Sequence, residues 1–231
     1  MSKLIGVVPA ANMYETLNSR EDLYRTGNNY IKRITECGGI PLGILPVDGW
    51  ITEEYLERFD AFLITGGNKT WPYHIAVIDH VLRTGKPLLG ICLGMQSIHR
   101  YMRTRDYMNE TGYSGSICDC YNALYEQDNH YALEPIPGHN LCLEIGHEEE
   151  AKHAVKVLPG TMLHRLTGKD EISAGSFHNF RIKDPSPCVT VSGVAPDGTI
   201  EAIEYGDNIL GVQFHPEIQQ DFMPFFEMIC T

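Results

Sequence analysis

The sequence predicts an α/β fold, with an open, mostly parallel sheet flanked by helices and antiparallel hairpins appended to it. Short apolar runs of strand length alternate with segments whose apolar residues keep helical spacing, which is typical of βαβ units. Later β-like runs are separated by Pro196-Asp197-Gly198 and Gly206-Asp207-Asn208, and such turn sequences favour antiparallel hairpins. Because 231 residues of ordinary composition can bury one core, we predict a single domain over residues 1–231.

The first predicted unit joins two strands through a helix. The apolar run Leu4 to Pro9 predicts the first strand. A helix is predicted over Tyr30 to Cys37, and Gly38-Gly39 ends it because glycine adopts the left-handed conformation in which many helices stop. The second strand, Ile40 to Leu45, is closed by Pro46.

The next units lead to the central strand. Thr52, followed by two glutamates, predicts the start of a helix, since threonine caps first turns and acids favour the positive helix end. A buried strand is predicted over Ala61 to Thr65, a helix between Pro72 and Gly85, and the central strand over Lys86 to Ile91. Apolar residues keep helical spacing from Cys92 onward.

The rest of the chain is less regular. Residues 104–150 mix Tyr, Asn, Asp, Gly and Cys without a firm period, so we predict loops there, with Glu148-Glu149-Glu150 as solvated surface. The remaining predicted elements are strands over Ala154 to Leu158, Val189 to Val194, Thr199 to Tyr205 and Ile209 to Phe214, and a helix over Gln219 to Ile229.

Composition excludes several classes of function. Acidic residues outnumber basic ones by 30 to 18, for a net charge of −12, and no basic cluster stands out, which excludes a nucleic-acid partner. No apolar run is long enough for a membrane span or a signal peptide. We therefore predict a cytoplasmic protein without a membrane partner, and a homodimer stays open.

Seven cysteines form an odd set without a secretory signal, which indicates reduced thiols, one of which could be reactive. Cys118 and Cys120 have one residue between them where zinc sites usually have two to four, and no second pair follows at finger spacing. We therefore expect no metal site and interpret this pair as incidental thiols.

Cys92 lies in the segment Gly90-Ile91-Cys92-Leu93-Gly94, which fits a nucleophile elbow. In this tight strand-to-helix turn, glycines two positions away relieve the crowding. The helix N-terminus favours a thiolate and so lowers the pKa of a cysteine. By itself, the pattern fits a buried structural cysteine better than a catalytic one.

A second motif, Phe214-His215-Pro216-Glu217, follows a predicted strand. A thiolate needs a general base, and that base needs a group that fixes its tautomer, which His215 and Glu217 can supply. Alone, this motif also fits a strand-terminating turn with a surface histidine. Two strand-end motifs, however, point to the same carboxyl edge of a parallel sheet, where ligands of open α/β folds bind.

Gly66-Gly67 also follows a predicted strand. Backbone amides of a glycine turn can approach an oxyanion and, with the amide of Leu93, would form a two-donor hole. A tight turn without function explains the same pair of glycines.

Two long motifs carry a resemblance to the class I glutamine amidotransferase domain, which implies a flavodoxin-like fold. They are Gly90-Ile91-Cys92-Leu93-Gly94-Met95-Gln96 and Gly211-Val212-Gln213-Phe214-His215-Pro216-Glu217. Within that superfamily the chain is most similar to the γ-glutamyl-γ-aminobutyrate hydrolase-like branch, the C26 peptidase group. Ser176-Phe177-His178 resembles the branch's Asn-Ser-Phe-His-His-Gln motif, and the segment from Asp197 to Glu204 matches its Asp-Gly-x-Ile-Glu-Ala hairpin.

The resemblance implies roles for the matching residues. Cys92 would be the nucleophile, His215 the base and Glu217 its orienting acid. Gly67 and Leu93 would form the oxyanion hole. The implied substrate contacts are Gln96, Ser176, Phe177 and His178. No metal or organic cofactor is implied.

The chain departs from the branch at several places, including a missing tyrosine and a missing acidic insertion after Gly66-Gly67, and two further departures change specific residues. Lys69 stands where the branch has an acid, and Asn179-Phe180 replaces His-Gln. The lysine motivates the hypothesis that Lys69 binds a substrate with an extra carboxylate or phosphate, although a solvated loop lysine explains it equally well. If Lys69→Asp leaves the preference for acidic over neutral leaving groups unchanged, the hypothesis is wrong.

These features predict a cysteine hydrolase that cleaves a γ-glutamyl amide through a thioester on Cys92. Two other functions stay open: a glutaminase subunit that supplies ammonia to a separate synthetase, and a non-catalytic binding or sensor protein that uses the thiol. An α/β-hydrolase with a cysteine elbow is disfavoured, because there the acid precedes the histidine, whereas Glu217 follows His215.

Overall fold

The computed structural model describes residues 2–13, 23–141 and 148–231. Its strands are β1 (Leu4–Val8), β2 (Ala10–Asn12), β3 (Leu23–Arg25), β4 (Ile40–Gly43), β5 (Ala61–Ile64), β6 (Leu88–Ile91), β7 (Leu133–Pro135), β8 (Lys152–Val157), β9 (Glu171–Gly175), β10 (Phe180–Ile182), β11 (Thr190–Val194), β12 (Ile200–Tyr205) and β13 (Ile209–Val212). Its helices are α1 (Asn28–Glu36), α2 (Glu53–Leu56), α3 (Pro72–Thr84), α4 (Leu93–Thr111), α5 (Ile117–Gln127), α6 (Met162–Thr167) and α7 (Met223–Cys230). Short 3₁₀ turns cover Glu148–Ala151, Pro216–Ile218 and Gln220–Phe222.

The main sheet has the strand order β4-β1-β5-β6-β13-β12-β11-β8-β9. The first five strands pair in parallel, and the strands from β13 to β9 pair antiparallel. Strands β5, β6 and β13 are buried along their whole length, as expected for parallel strands covered on both faces. This architecture confirms the predicted fold, including the two hairpins formed by β11, β12 and β13.

Helices cover both faces of the sheet. On one face, α1, α6 and α7 pack through residues such as Ile34, Leu163 and Phe225. On the other, α3, α4 and α5 pack through residues such as Ile75 and Met95. Among the described helices, none is long and apolar enough to cross a bilayer.

The loop prediction for residues 104–150 is wrong for its first part. Helix α4 continues to Thr111, and α5 follows after a short turn. The Ser116 hydroxyl caps α5 by accepting a hydrogen bond from the Asp119 amide at 3.1 Å. Cys120 and Tyr121 bury the inner face of α5. Since polar aromatic residues and cysteines form this face, a search for aliphatic periodicity misses it.

Other differences are smaller. Sequence periodicity did not predict β9, β10 or α6, and the last helix begins at Met223 instead of Gln219 because a 3₁₀ turn precedes it. Six cysteines are free thiols, as predicted, while Cys142 lies outside the described residues. Glu150 is exposed, in accord with the predicted solvated run.

Candidate active site

Cys92 occupies a strained turn between β6 and α4. Its backbone has φ 53° and ψ −102°, a conformation that non-glycine residues rarely adopt. A Cβ at Gly90 would lie 2.7 Å from the Gly94 carbonyl carbon, and one at Gly94 would lie 2.5 Å from the Ile64 oxygen. The two glycines are therefore needed to let the chain turn tightly enough to place the thiol at the helix N-terminus.

His215 and Glu217 form a close pair beyond the end of β13. The Nδ1 atom of His215 lies 2.7 Å from Oε1 of Glu217, and the Glu217 side chain is buried. Since a carboxylate only accepts hydrogen bonds, Nδ1 carries a proton and the other ring nitrogen can serve the thiol. The Arg33 Nε atom donates to the Glu217 carbonyl at 3.0 Å and holds this turn against α1.

The sheet brings the thiol and the imidazole together. Strands β6 and β13 are parallel neighbours, and the Cys92 amide donates to the Val212 oxygen at 2.7 Å. Burial lowers the pKa of His215, but the charge of Glu217 and hydrogen bonds to Cys92 and Glu217 outweigh it and raise this pKa to about 10. His215 is thus an imidazolium at neutral pH, and a neighbouring cation favours a thiolate.

Tyr30 and Gly66 complete the surroundings of this pair, and the sequence alone did not indicate Tyr30. The Gly66 amide donates to the Tyr30 hydroxyl at 3.1 Å. Burial raises the pKa of Tyr30 well above its ordinary value, and the charge of Glu217 raises it further. A Cβ at Gly66 would lie 3.0 Å from both His215 Cε1 and the Tyr30 hydroxyl, so this glycine is required by close packing.

Gly67 and Leu93 lie side by side where the oxyanion hole is predicted. A Cβ added to Gly67 would lie 2.8 Å from Cδ2 of Leu93. Leu93 is the first residue of α4, so its amide has no partner within the helix. Outside the regular elements, neither amide donates to another described residue.

Gln96 lies one turn after Cys92 and lines a small cavity. Its side-chain Nε2 donates to Gln213 Oε1 at 3.1 Å and to the Phe180 oxygen at 3.3 Å. The cavity has a volume of about 140 Å³, and Asn68 and Arg100 line it as well.

Arg100 brings a buried positive charge to this cavity, and no sequence motif signalled it. The residue is 4% exposed. Its guanidinium donates to the backbone oxygens of Tyr131 and Asn129 and to the Tyr121 hydroxyl, all of which are neutral. A buried cation with only neutral partners suits an anionic group of a ligand.

The predicted contacts Ser176, Phe177 and His178 separate into two environments. Phe177 packs its ring against His215 with centroids 5.4 Å apart. Ser176 is fully buried and donates from its hydroxyl to the His139 oxygen at 2.7 Å. His178 is also buried, and its ring faces His139 and the Phe180 oxygen. The polar contacts of Ser176 and His178 therefore lie behind the wall that Phe177 presents to His215.

Lys69 lines a wide cleft of about 960 Å³ beside the Gly66-Gly67 turn. Its ammonium lies 3.8 Å from the centre of the Trp71 ring and 5.2 Å from that of Tyr125. The cleft is large enough for a small organic group. The Lys69 ammonium lies over the aromatic rings of the cleft wall.

The sequence model of the Peptidase C26 family matches residues 3–76 and 72–217. The chain belongs to the Peptidase C26 family. The family match covers Cys92, His215 and Glu217, and it agrees with the predicted branch of the class I glutamine amidotransferase-like superfamily. Family membership identifies the chain as a hydrolase-type protein of this superfamily, without naming its substrate.

Individual relatives of this Peptidase C26 chain are distant. Protein NtpR of Enterococcus hirae is 25% identical over 217 residues, covering 84% of this chain and 81% of NtpR. CTP synthase of Halobacterium salinarum is 26% identical over 214 residues, covering 85% of this chain but 37% of the synthase. The solved glutaminase domain of Trypanosoma brucei CTPS with bound acivicin has a TM-score of 0.68 at 16% identity, covering 98% of this chain and 92% of that domain. This last likeness supports the fold.

Proposed function

We propose that the chain is a cysteine hydrolase that cleaves the amide bond of a γ-glutamyl amine or a glutamine-like substrate and releases glutamate. One observation carries the proposal: Cys92, on a positive-φ elbow, lies next to His215 across Gly66, and Glu217 holds the His215 ring at 2.7 Å. This arrangement supplies a nucleophile, an acid–base group and an orienting carboxylate in one place.

The reaction has two stages. The Cys92 thiolate attacks the side-chain amide carbon, and the amides of Gly67 and Leu93 would stabilise the oxyanion of the tetrahedral intermediate. The intermediate expels the amine, which takes a proton from the imidazolium of His215, and leaves a thioester on Cys92. His215 then removes a proton from a water molecule as its oxygen attacks the thioester carbon. The Cys92 thiolate is expelled from this carbon, and glutamate is released.

The small cavity supports a γ-glutamyl group as the part recognised. Asn68 follows Gly67, and Gln96 lies one turn after Cys92, so the cavity lies beside the reacting atoms. Arg100 is suited to bind the α-carboxylate of the glutamyl group. The wide cleft at Lys69 adjoins the small cavity, since Tyr125 and Asn129 line both. The cleft would accept the amine, and Lys69 would there affect the choice of leaving group.

Trapping of the acyl-enzyme tests the proposal. The purified chain is mixed with a panel of γ-glutamyl amides and glutamine, quenched with acid, and the adduct is located by mass spectrometry. We expect a glutamyl thioester on Cys92 and glutamate release with at least one substrate. Cys92→Ala should abolish both, whereas Cys188→Ala, which removes an exposed thiol, should change neither.

The variant Arg100→Gln tests whether Arg100 binds the γ-glutamyl group. Loss of one charged hydrogen-bond pair should raise KM for γ-glutamyl substrates by about 10- to 100-fold and leave the site of acylation unchanged. An unchanged KM would remove Arg100 from the substrate site while leaving the thioester chemistry intact.

A glutaminase subunit is the second candidate. It is favoured by the similarity to CTP synthase of Halobacterium salinarum and by the shared fold with the glutaminase domain of Trypanosoma brucei CTPS. The same panel separates the two functions. Hydrolysis of a γ-glutamyl amine by the isolated chain supports the hydrolase, whereas activity on glutamine that needs a partner protein supports the subunit. No adduct with any compound would favour the third alternative, a non-catalytic thiol protein. A cytoplasmic location stays a prediction from the sequence, and a homodimer stays open.

A further inference from the structure

A second group of titratable side chains lies behind the Phe177 wall. We call His139, His153, His178 and Glu201 the histidine cluster. Glu201 lies in β12 and is fully buried, and His153 lies in β8. His139 follows β7, and His178 lies between β9 and β10. Four segments that are distant in sequence therefore converge on one point.

Three ligand-type atoms of the histidine cluster form a nearly equilateral triangle. The distance from His139 Nδ1 to His178 Nε2 is 3.2 Å, and Glu201 Oε1 lies 3.3 Å from the first and 3.4 Å from the second. His153 Nε2 is 3.6 Å from the same Glu201 oxygen. Ligand atoms of His139, His153 and Glu201 all lie within 4.8 Å of one another.

The outer hydrogen bonds fix which ring nitrogens carry lone pairs. His139 Nε2 faces the Asp197 carboxylate at 3.0 Å, and His178 Nδ1 faces the Phe180 carbonyl at 2.9 Å. Both partners only accept, so these nitrogens carry the protons. In the neutral rings, His139 Nδ1 and His178 Nε2 therefore point lone pairs at each other.

The side-chain oxygens of Glu201 also face no hydrogen-bond donor in the described part of the chain. Neither of its oxygens accepts a hydrogen bond of standard geometry from a described residue, and neither does Nε2 of His153 take part in one. A fully buried carboxylate left in this way is costly unless a cation lies beside it. Glu201 places a full negative charge inside this buried cluster, which a cation would balance.

The spacing also fits the size of such an ion. Tetrahedral ligand atoms at about 2.0–2.1 Å from zinc lie about 3.3–3.4 Å apart. The centre of a triangle with the observed sides lies about 1.9 Å from each corner, the side divided by √3, so an ion slightly above that plane reaches all three atoms.

We propose that His139, His178 and Glu201, with His153 as the fourth ligand, bind one divalent transition-metal ion of the zinc class. Imidazole and carboxylate ligands suit such ions, and the carboxylate and carbonyl behind the two rings are the outer partners that orient metal-binding histidines. Four protein ligands in a buried site leave no open position, so the ion has a structural role. This proposal departs from the expectation of no metal site, for which only the cysteine spacing and the family resemblance were considered.

The ion would hold the wall of the candidate active site in place. The Ser176 hydroxyl and the His178 amide both bond to the His139 oxygen, at 2.7 and 3.1 Å, and Phe177 between them packs on His215. A proton shared within the cluster is the competing occupant. The nearby Glu201 carboxylate is the largest of the causes that raise the pKa of His139.

Metal titration of the full chain separates the two occupants. The Cys92→Ala chain is used, so that the thiolate does not bind metal, and it is stripped with a chelator that is then removed. We expect one equivalent of Co²⁺ to bind with the visible spectrum of a tetrahedral site, and Zn²⁺ to displace it. Zn²⁺ at 100 times its Kd should raise the unfolding midpoint by about 5–10 °C.

Two ligand variants and one control locate the site. His153→Gln, at the partly exposed side of the cluster, and Glu201→Gln should weaken binding of Co²⁺ by at least about tenfold. His164→Gln, a histidine outside the cluster, should bind like the parent. The proposal is wrong if neither Co²⁺ nor Zn²⁺ binds the parent chain at micromolar concentration, or if the two ligand variants bind as tightly as His164→Gln.

Discussion

Two groups of histidine and glutamate lie close together on neighbouring strands, and they are built in opposite ways. His215 and Glu217 come from one turn and share one short hydrogen bond of 2.7 Å, with an open ring nitrogen toward Cys92. The histidine cluster comes from four segments, and the side-chain oxygens of its Glu201 accept no hydrogen bond of standard geometry within the described chain. The backbone connects the two regions, since the Gln213 amide, two residues before His215, donates to the Glu201 backbone carbonyl at 2.8 Å.

The difference shows how the same side-chain types are suited to different tasks. One carboxylate that faces one imidazole orients the ring and leaves its far nitrogen for chemistry. One carboxylate that faces three imidazoles uses every inner nitrogen and leaves none for a substrate. The first arrangement fits acid–base work, and the second fits a bound cation.

Substitution of one histidine in each group should give the largest difference in kcat between the two groups. His215→Gln removes the acid–base group and should lower kcat by about 10²- to 10⁴-fold. His139→Gln should lower kcat by less than about tenfold, because its side chain does not reach the reacting atoms. Steady-state hydrolysis of the best γ-glutamyl amide compares the two variants. Equal losses in both would contradict the division of tasks.

The matched glutamate substitutions sharpen the comparison through the pH profile. The pKa of His215 is raised to about 10 by Glu217 and Cys92, so its imidazolium persists as pH rises and is lost only near that value. The alkaline limb of kcat/KM should therefore lie near pH 10 in the parent chain. Glu217→Gln removes a charge that raises this pKa, so the limb should move to lower pH.

Glu201→Gln serves as the control, since it makes the same change in the other group. It should leave the position of the alkaline limb unchanged, whatever it does to stability. If both variants shift the limb by the same amount, the charge that sets the pKa of His215 does not come from Glu217 alone.

The first group was predictable from the sequence, and the second was not. Cys92 has its glycines two positions away, and His215 lies two positions from Glu217, so each motif is visible locally. The strand ends then bring the motifs together by a general property of parallel sheets. The ligands of the histidine cluster lie 14 to 62 residues apart in the chain, and only the folded sheet makes them neighbours. His178 was predicted as a substrate contact because its motif was visible, while its true neighbours were not.

The same limit explains the errors in the fold. Strands β5, β6 and β13 are uniformly apolar, so their burial is readable from composition. Helix α5 buries Cys120 and Tyr121, and these two residues give no aliphatic period by which the helix could be predicted. Tyr30 was placed in a helix, but nothing in that helix shows that its hydroxyl reaches the Gly66 amide across the sheet.

The smallest predicted effect concerns the space beside His215, which the second group does not share. Gly66→Ala adds a methyl group 3.0 Å from both His215 Cε1 and the Tyr30 hydroxyl, so these side chains must shift by a few tenths of an ångström. We expect a loss of about 1–3 kcal/mol in the free energy of unfolding and about tenfold in kcat. Gly43→Ala is the matched control, because no atom lies within 4 Å of its added methyl and its φ is not positive. Urea unfolding and steady-state kinetics measure both variants. An unchanged kcat in Gly66→Ala would mean that the rate does not depend on the exact position of the His215 ring beside Cys92.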